Sequence, residues 1–162
     1  MDENEHVKEV YAHYGLALYQ VQCLERALCI LLASEKAPSV KSITKYDYDN
    51  ILNTLFKNTL GGLIRKMQKD IKITDDFEKN IEKALEKRNR LTHNYFWERA
   101  GHFMTAEGRN FMLKELQEVS SFFEGLDNYL VKITDEWAKK NGLTAEFLEK
   151  QMTKLIKNAR IP

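Results

Sequence analysis

In the run Arg88-Asn89-Arg90-Leu91-Thr92-His93-Asn94-Tyr95, a permanent cation, an amide and a side chain that titrates near neutral pH fall within about two turns of helix. His93 lies about 140° round the helix from Arg88, and Asn89 shares the face of His93 by the i, i+4 relation. Such a set suits a phosphodiester, because the guanidinium can hold the anion while the imidazole moves a proton near pH 7. The same residues also admit a structural reading. In that reading Arg88 forms an internal ion pair, His93 packs, and Asn89 and Tyr95 complete hydrogen bonds.

The element that must position these side chains is a helix over about residues 75–100. Phe77, Ile81, Ala84, Arg88, Leu91 and Tyr95 recur at alternating steps of four and three, which keeps one face on a core and puts Arg88 on that face. A guanidinium cannot shed its charge, so taking it from water costs several kcal/mol or so unless an acid or a bound anion compensates. A second long helix, about Glu5 to Ser34, offers the acid. Its stripe runs Val7, Val10, Tyr14, Ala17, Val21, Leu24, Leu28 and Leu31, flanked by Tyr11, Leu18 and Leu32, and the flanking row continues at Glu25. A carboxylate there is expected to be protonated, paired or at the edge of the stripe, with Arg88 as partner. Paired in this way, Glu25 would orient Arg88 under either reading.

Arg88, Asn89, His93 and Tyr95 together form an R-x4-H-x-Y pattern with a polar residue after the arginine. This resembles the signature of the HEPN superfamily, small all-helical proteins whose ribonuclease members carry such a motif. The spacing is similar to that of the toxin branch paired with a nucleotidyltransferase antitoxin. The resemblance implies metal-independent cleavage of RNA through the ribose 2'-hydroxyl, with His93 as general base or acid and Arg88 stabilising charge on the phosphate. It further implies a homodimer with the motif helices near the interface, Tyr95 lining the site, and Tyr95 as a site of adenylylation. Asn89 would orient His93 or contact phosphate. Outside the motif the chain matches no one branch of the superfamily closely. The competing expectation is a catalytically silent HEPN-like module that binds a nucleotide, a protein or itself.

Bulk properties are permissive. A chain of 162 residues reads as one domain over 1–162, long enough to bury a core, and a formal charge of +1 gives no global pull toward a polyanion. Two prolines and seven glycines favour long helices with few tight turns. No apolar run approaches the roughly 20 residues that span a bilayer, and the polar start is not that of a signal peptide. No membrane partner is therefore expected. Cys23 and Cys29 would stand about 9 Å apart along one helix, too far to bridge, and read as buried thiols of a reducing cytoplasm.

The remaining elements follow in order. Glu35 to Lys45 is expected as a loop whose Lys36, Lys41 and Lys45 are solvated. Tyr46 and Tyr48 open a second helix, interrupted at Gly61-Gly62 before Leu63, Ile64 and Met67 resume the pattern. Asp75 is the expected cap of the motif helix, with Glu78 completing a capping box. Ala100-Gly101 ends that helix, His102 and Phe103 form a link, and the C-terminal helices occupy 105–158. Of these, the first carries Met112, Leu116, Val119, Phe123, Leu126, Leu130, Ile133 and Trp137 at four-three spacing and stops at Asn141-Gly142. Thr144 caps the last, with Phe147, Leu148, Met152, Leu155 and Ile156 inward. The fold class read from this is all-α, an antiparallel up-down bundle of about five to six helices. No CxxC, HExxH, EF-hand, Walker, Rossmann or Gly-x-Ser-x-Gly pattern occurs, so no motif supports a metal, nucleotide-cofactor or redox site.

Overall fold

Helix-stop and helix-start signals divide the chain in a computed structural model that describes residues 3–37 and 44–158. Among the described residues there are no strands, and the helices are α1 (Glu3–Lys36), α2 (Lys45–Leu55), α3 (Leu60–Asp70), α4 (Asp75–His93), α5 (Tyr95–Glu98), α6 (Ala100–Phe103), α7 (Ala106–Lys140) and α8 (Ala145–Asn158). Eight helices replace the five or six expected, because the segment 75–100 is not one helix. Asn94, at φ −128° and ψ −18°, ends α4, and two single turns carry the chain on to α7.

Most starts are side-chain caps. Thr44 and Asp47 make a reciprocal capping box on α2, and Thr59 accepts from Gly62 N at the head of α3. Gly61 and Gly62 thus open a helix and do not kink one. On α4 the cap is Thr74, which accepts from Phe77 N, one residue before the expected Asp75. A threonine hydroxyl reaches the third helical amide from that position, which leaves Asp75 in the first turn. Thr105, where this helix was expected to start, is its cap, and Gly142 takes the left-handed φ of +74° that lets the chain leave it.

The stripes on α1, α4 and α7 meet in one core. Val10, Ala17, Leu24, Leu28, Leu31, Ile81, Ala84, Met112, Leu116, Phe123 and Leu130 are all buried there. Each large aliphatic side chain so covered contributes about 1.5 to 3 kcal/mol.

Contacts far apart in sequence fix how these helices run. His6 Nε2 donates to Asn110 Oδ1 at 3.0 Å near the start of α1, and Trp137 Nε1 donates to the Ala37 carbonyl at 3.0 Å just beyond its end. The two longest helices therefore lie parallel, contrary to the antiparallel packing expected of the long stripes. Between α4 and α7 the order reverses: Phe77 stacks on Tyr129 at 4.5 Å, and Lys87 sits 5.4 Å over the ring of Phe122. The up-down alternation holds from one long helix to the next through α1, α2, α3, α4 and α7. With an odd number of legs, the first and last come side by side pointing the same way.

Four further expectations need correction. An 18-residue window of α1 is long and apolar enough by composition to cross a membrane, although half of it is buried by the other helices, which is how a central core helix comes by such a sequence. On α8, Met152 and Ile156 face out at 61% and 62% exposure instead of inward, while the side chains of Phe147, Leu148 and Leu155 lie outside the described residues. In α7 the inward stripe ends before Ile133, which is exposed. Lys36 belongs to α1, and the loop residues around Lys41 also lie outside the described residues.

Candidate functional site

Arg88 occupies the place on α4 where the stripe turns from core to surface. Ala84 and Leu91 on either side of it are buried, whereas its own side chain is 27% exposed. Its Nε stands 3.8 Å from Oε1 of Glu25 on α1, so the anticipated pair exists, but the distance is too long for a hydrogen bond. Burial pushes the Glu25 carboxyl up from its ordinary pKa, and the charge of Arg88 offsets this only in part. At the other end of the guanidinium, Nη1 donates to Asn89 Oδ1 at 3.2 Å. That is the single hydrogen bond of the Arg88 side chain among the described residues, out of five N–H donors. Most of the fork is therefore free to take an anion.

His93, the last residue of α4, is exposed, and no hydrogen bond or ion pair holds its ring among the described residues. Asn89 is likewise exposed and shares its face. Asn89 bonds Arg88 and does not orient His93, so it ties the cation toward the sector that the imidazole occupies. A cation with spare donors and an accessible imidazole thus stand on neighbouring faces of α4, about 140° apart, with Asn89 between them. There the former can neutralise a phosphate and the latter can accept or give a proton.

Tyr95 is not on that surface. Its ring is 1% exposed, stacked on Tyr14 with centroids 5.8 Å apart, and its hydroxyl donates to the Met112 carbonyl at 3.3 Å. Burial raises the pKa of this phenol, with the carboxylate of Glu115 adding to the effect. The expectation that Tyr95 lines the site is corrected: the four-three spacing that carries it on the apolar stripe prevails. Adenylylation there would require its hydroxyl to leave the core. Tyr14 makes the complementary bond, donating to the Leu91 carbonyl at 2.9 Å and satisfying one of the free carbonyls at the end of α4.

Beside the motif lies a second ionic group without any sequence motif. Glu115 of α7 accepts from Arg90 Nη1 at 2.9 Å, from Arg99 Nη2 at 2.7 Å and from Arg99 Nε at 2.8 Å, while Arg90 Nε donates to Glu98 at 2.7 Å. Burial opposes ionisation of Glu115, but the hydrogen bonds and charges of Arg99 and Arg90 outweigh it and pull its pKa down to about 2. Here both oxygens of Glu115 are occupied and each arginine makes two short charged hydrogen bonds, so this cluster braces α4, α5 and α7.

Trp97 is 87% exposed, which its position four residues after His93 in an aromatic run did not signal. A cavity of about 300 Å³ opens on the far side of Glu25, lined by Gln22, Arg26, Cys29, Phe56 and Asn58 among others. Its residues come from α1, the α2–α3 turn and the start of α3 and carry no sequence pattern of their own. No group of three or more His, Cys, Asp or Glu could hold a metal ion among the described residues. Cys23 and Cys29 are free thiols, Cys29 buried and Cys23 partly so. No family model, curated protein or solved structure matches this chain.

Proposed function

We propose that the chain is a metal-independent endoribonuclease of the HEPN type, acting as a toxin or phage-defence effector. The observation that carries this reading is the Arg88 guanidinium, tied by one hydrogen bond to Asn89 and loosely paired with Glu25, five residues before an exposed His93 whose imidazole has no partner among the described residues. In the proposed reaction His93 takes the proton of a ribose 2'-hydroxyl, and the 2'-oxygen attacks the adjacent phosphorus. The P–O5' bond breaks, leaving a 2',3'-cyclic phosphate on one fragment and a 5'-oxygen that takes up a proton on the other. Arg88 neutralises the added negative charge on the phosphoryl oxygens as the bond forms. Because the nucleophile belongs to the substrate, RNA is cut and DNA is not. A homodimer would supply a second His93 for the leaving-group proton, and an arginine from each copy would double the local positive charge.

The test is cleavage of single-stranded RNA by the purified chain in EDTA. His93→Ala and Arg88→Ala should each lower the rate by about 10²-fold or more with the fold retained. Full activity in both variants would overturn the assignment. The 3.8 Å pair with Glu25 favours a second reading, a silent helical module in which Arg88 serves stability alone. That reading requires no turnover in the wild type and a marked loss of stability in Arg88→Ala.

A further inference from the structure

The Glu25 carboxylate has two sides. One faces Arg88, and the other lines the cavity of about 300 Å³ between α1 and the α2–α3 turn. Two cations stand at that cavity, Arg26 in its lining and Lys66 bonded to the lining residue Asn58. The Cζ of Arg26 stands 3.9 Å from the centroid of the Phe56 ring, a cation–π contact that holds the guanidinium and uses none of its N–H groups. No carboxylate lies within ion-pair distance of Arg26, and it makes no hydrogen bond among the described residues. Lys66 of α3 donates to Asn58 Oδ1 at 2.8 Å, which leaves two further ammonium protons. Asn58 in turn is fixed, since its amide donates to the carbonyls of Thr54 and Leu55 at 2.9 and 3.1 Å. Arg26 and Glu25 share the cavity wall with Cys29, whose thiol feels their charges and that of Lys66. The only acid of that set, Glu25, is engaged by Arg88, and the balance in the cavity is positive.

We propose that this cavity is a phosphate subsite, with Arg26 as a bidentate fork and Lys66 as a second cation. The phosphate it takes belongs to the RNA strand, next to the phosphate that Arg88 holds. The choice of phosphate follows from the match between a planar guanidinium and a tetrahedral oxyanion. Its source follows from position: Glu25 lines this cavity and also lies 3.8 Å from Arg88 Nε, so the two cationic spots border the same side chain, and one strand could contact both. The strand as source rests on the cleavage reading, whereas the anion site itself does not.

The experiment measures binding of a fully 2'-O-methylated single-stranded RNA, which cannot be cut through a 2'-hydroxyl, by calorimetry over a range of salt concentrations. The proteins compared are the wild type, Arg26→Gln/Lys66→Gln and Arg88→Gln, with inorganic phosphate and a nucleoside monophosphate as separate titrants. The double variant should bind the strand about tenfold more weakly. Its slope of log affinity against log salt should shrink by about 0.7, the share of one single-strand phosphate contact. Its KM for cleavable RNA should rise while kcat stays near the wild-type value. Affinity, slope and KM all unchanged in the double variant would overturn the subsite and leave the cleavage reading standing. Strand binding that depends on Arg26 and Lys66 in a protein that never cuts RNA would do the reverse. Saturation by the mononucleotide with no binding of the strand would overturn the strand as source. Should the double variant fail to fold, Arg26→Lys, which keeps the charge and loses the fork, should weaken binding by a smaller factor, and no change in it would count against the proposal.

Discussion

Two arginine–carboxylate groups lie close together in sequence, and they are built differently. Around Glu115 every contact is between 2.7 and 2.9 Å and both carboxylate oxygens are occupied. Between Arg88 and Glu25 the approach is 3.8 Å, with both side chains more than a quarter exposed. The first is a finished brace across three helices. The second holds an arginine in place without consuming its donors, which is the condition for using that arginine on something else. An ion pair close to a sequence motif is thus informative less by its presence than by how completely it is satisfied.

The contrast is open to direct attack, beginning where the effect should be largest. Glu115→Ala takes the carboxylate acceptor from Arg99 and leaves Arg90 with Glu98 alone, and should lower unfolding stability by about 2 to 3 kcal/mol, measurable in urea. The pH dependence comes next. Glu115 titrates at about 2 in the folded chain against 4.5 as its ordinary value, so the stability it contributes is present above the ordinary value and is lost as pH falls through the folded one. After discounting for solvent screening this is about 2 kcal/mol, and Glu115→Gln should flatten the acid limb of the stability curve by that amount. Glu25 has the opposite sign. Its raised pKa means that it favours the fold most at low pH and disfavours it as pH rises through its folded value, so Glu25→Gln should relieve a small loss on that side. At pH 7 the same substitution should change stability by no more than about 1 kcal/mol. Smallest of all, Asn89→Ala should leave stability within about 0.5 kcal/mol while lowering RNA cleavage several-fold, as Arg88 loses its tether.

Much of this was legible in the sequence because it depends on one helix at a time. The α1 stripe from Val10 to Leu31, the α7 stripe from Met112 to Leu130, the caps at Thr105 and Gly142, and the inward setting of Arg88 toward Glu25 all follow from spacing. What spacing lacks is direction, so it could not reveal that α1 and α7 run parallel. Nor does it register where a helix breaks. The departure at Asn94 carries no proline or glycine, and without it the segment 75–100 reads as a single element. Glu115 escaped notice because its partners lie 16 and 25 residues away on other helices and share no motif with it. The cavity beside Glu25 is invisible for the same reason, being assembled from α1 and a turn more than 25 residues later. Tyr95 teaches a different lesson: its stripe position already pointed inward, and the motif drew attention toward the surface.

The parallel setting of α1 and α7 also has an electrical consequence. A helix carries a macrodipole equivalent to about half a positive charge at its N-terminus and half a negative charge at its C-terminus, and antiparallel neighbours cancel one another. Here the helices of 34 and 35 residues add, and α4, with 19, opposes them only in part. The chain answers with formal charges of the compensating sign: Glu3, Glu5 and Glu107 gather at the shared N-terminal end, and Lys36, Lys139 and Lys140 at the other. In a protein of net charge +1, these side chains offset at each end of the pair the partial charge that two parallel dipoles leave there.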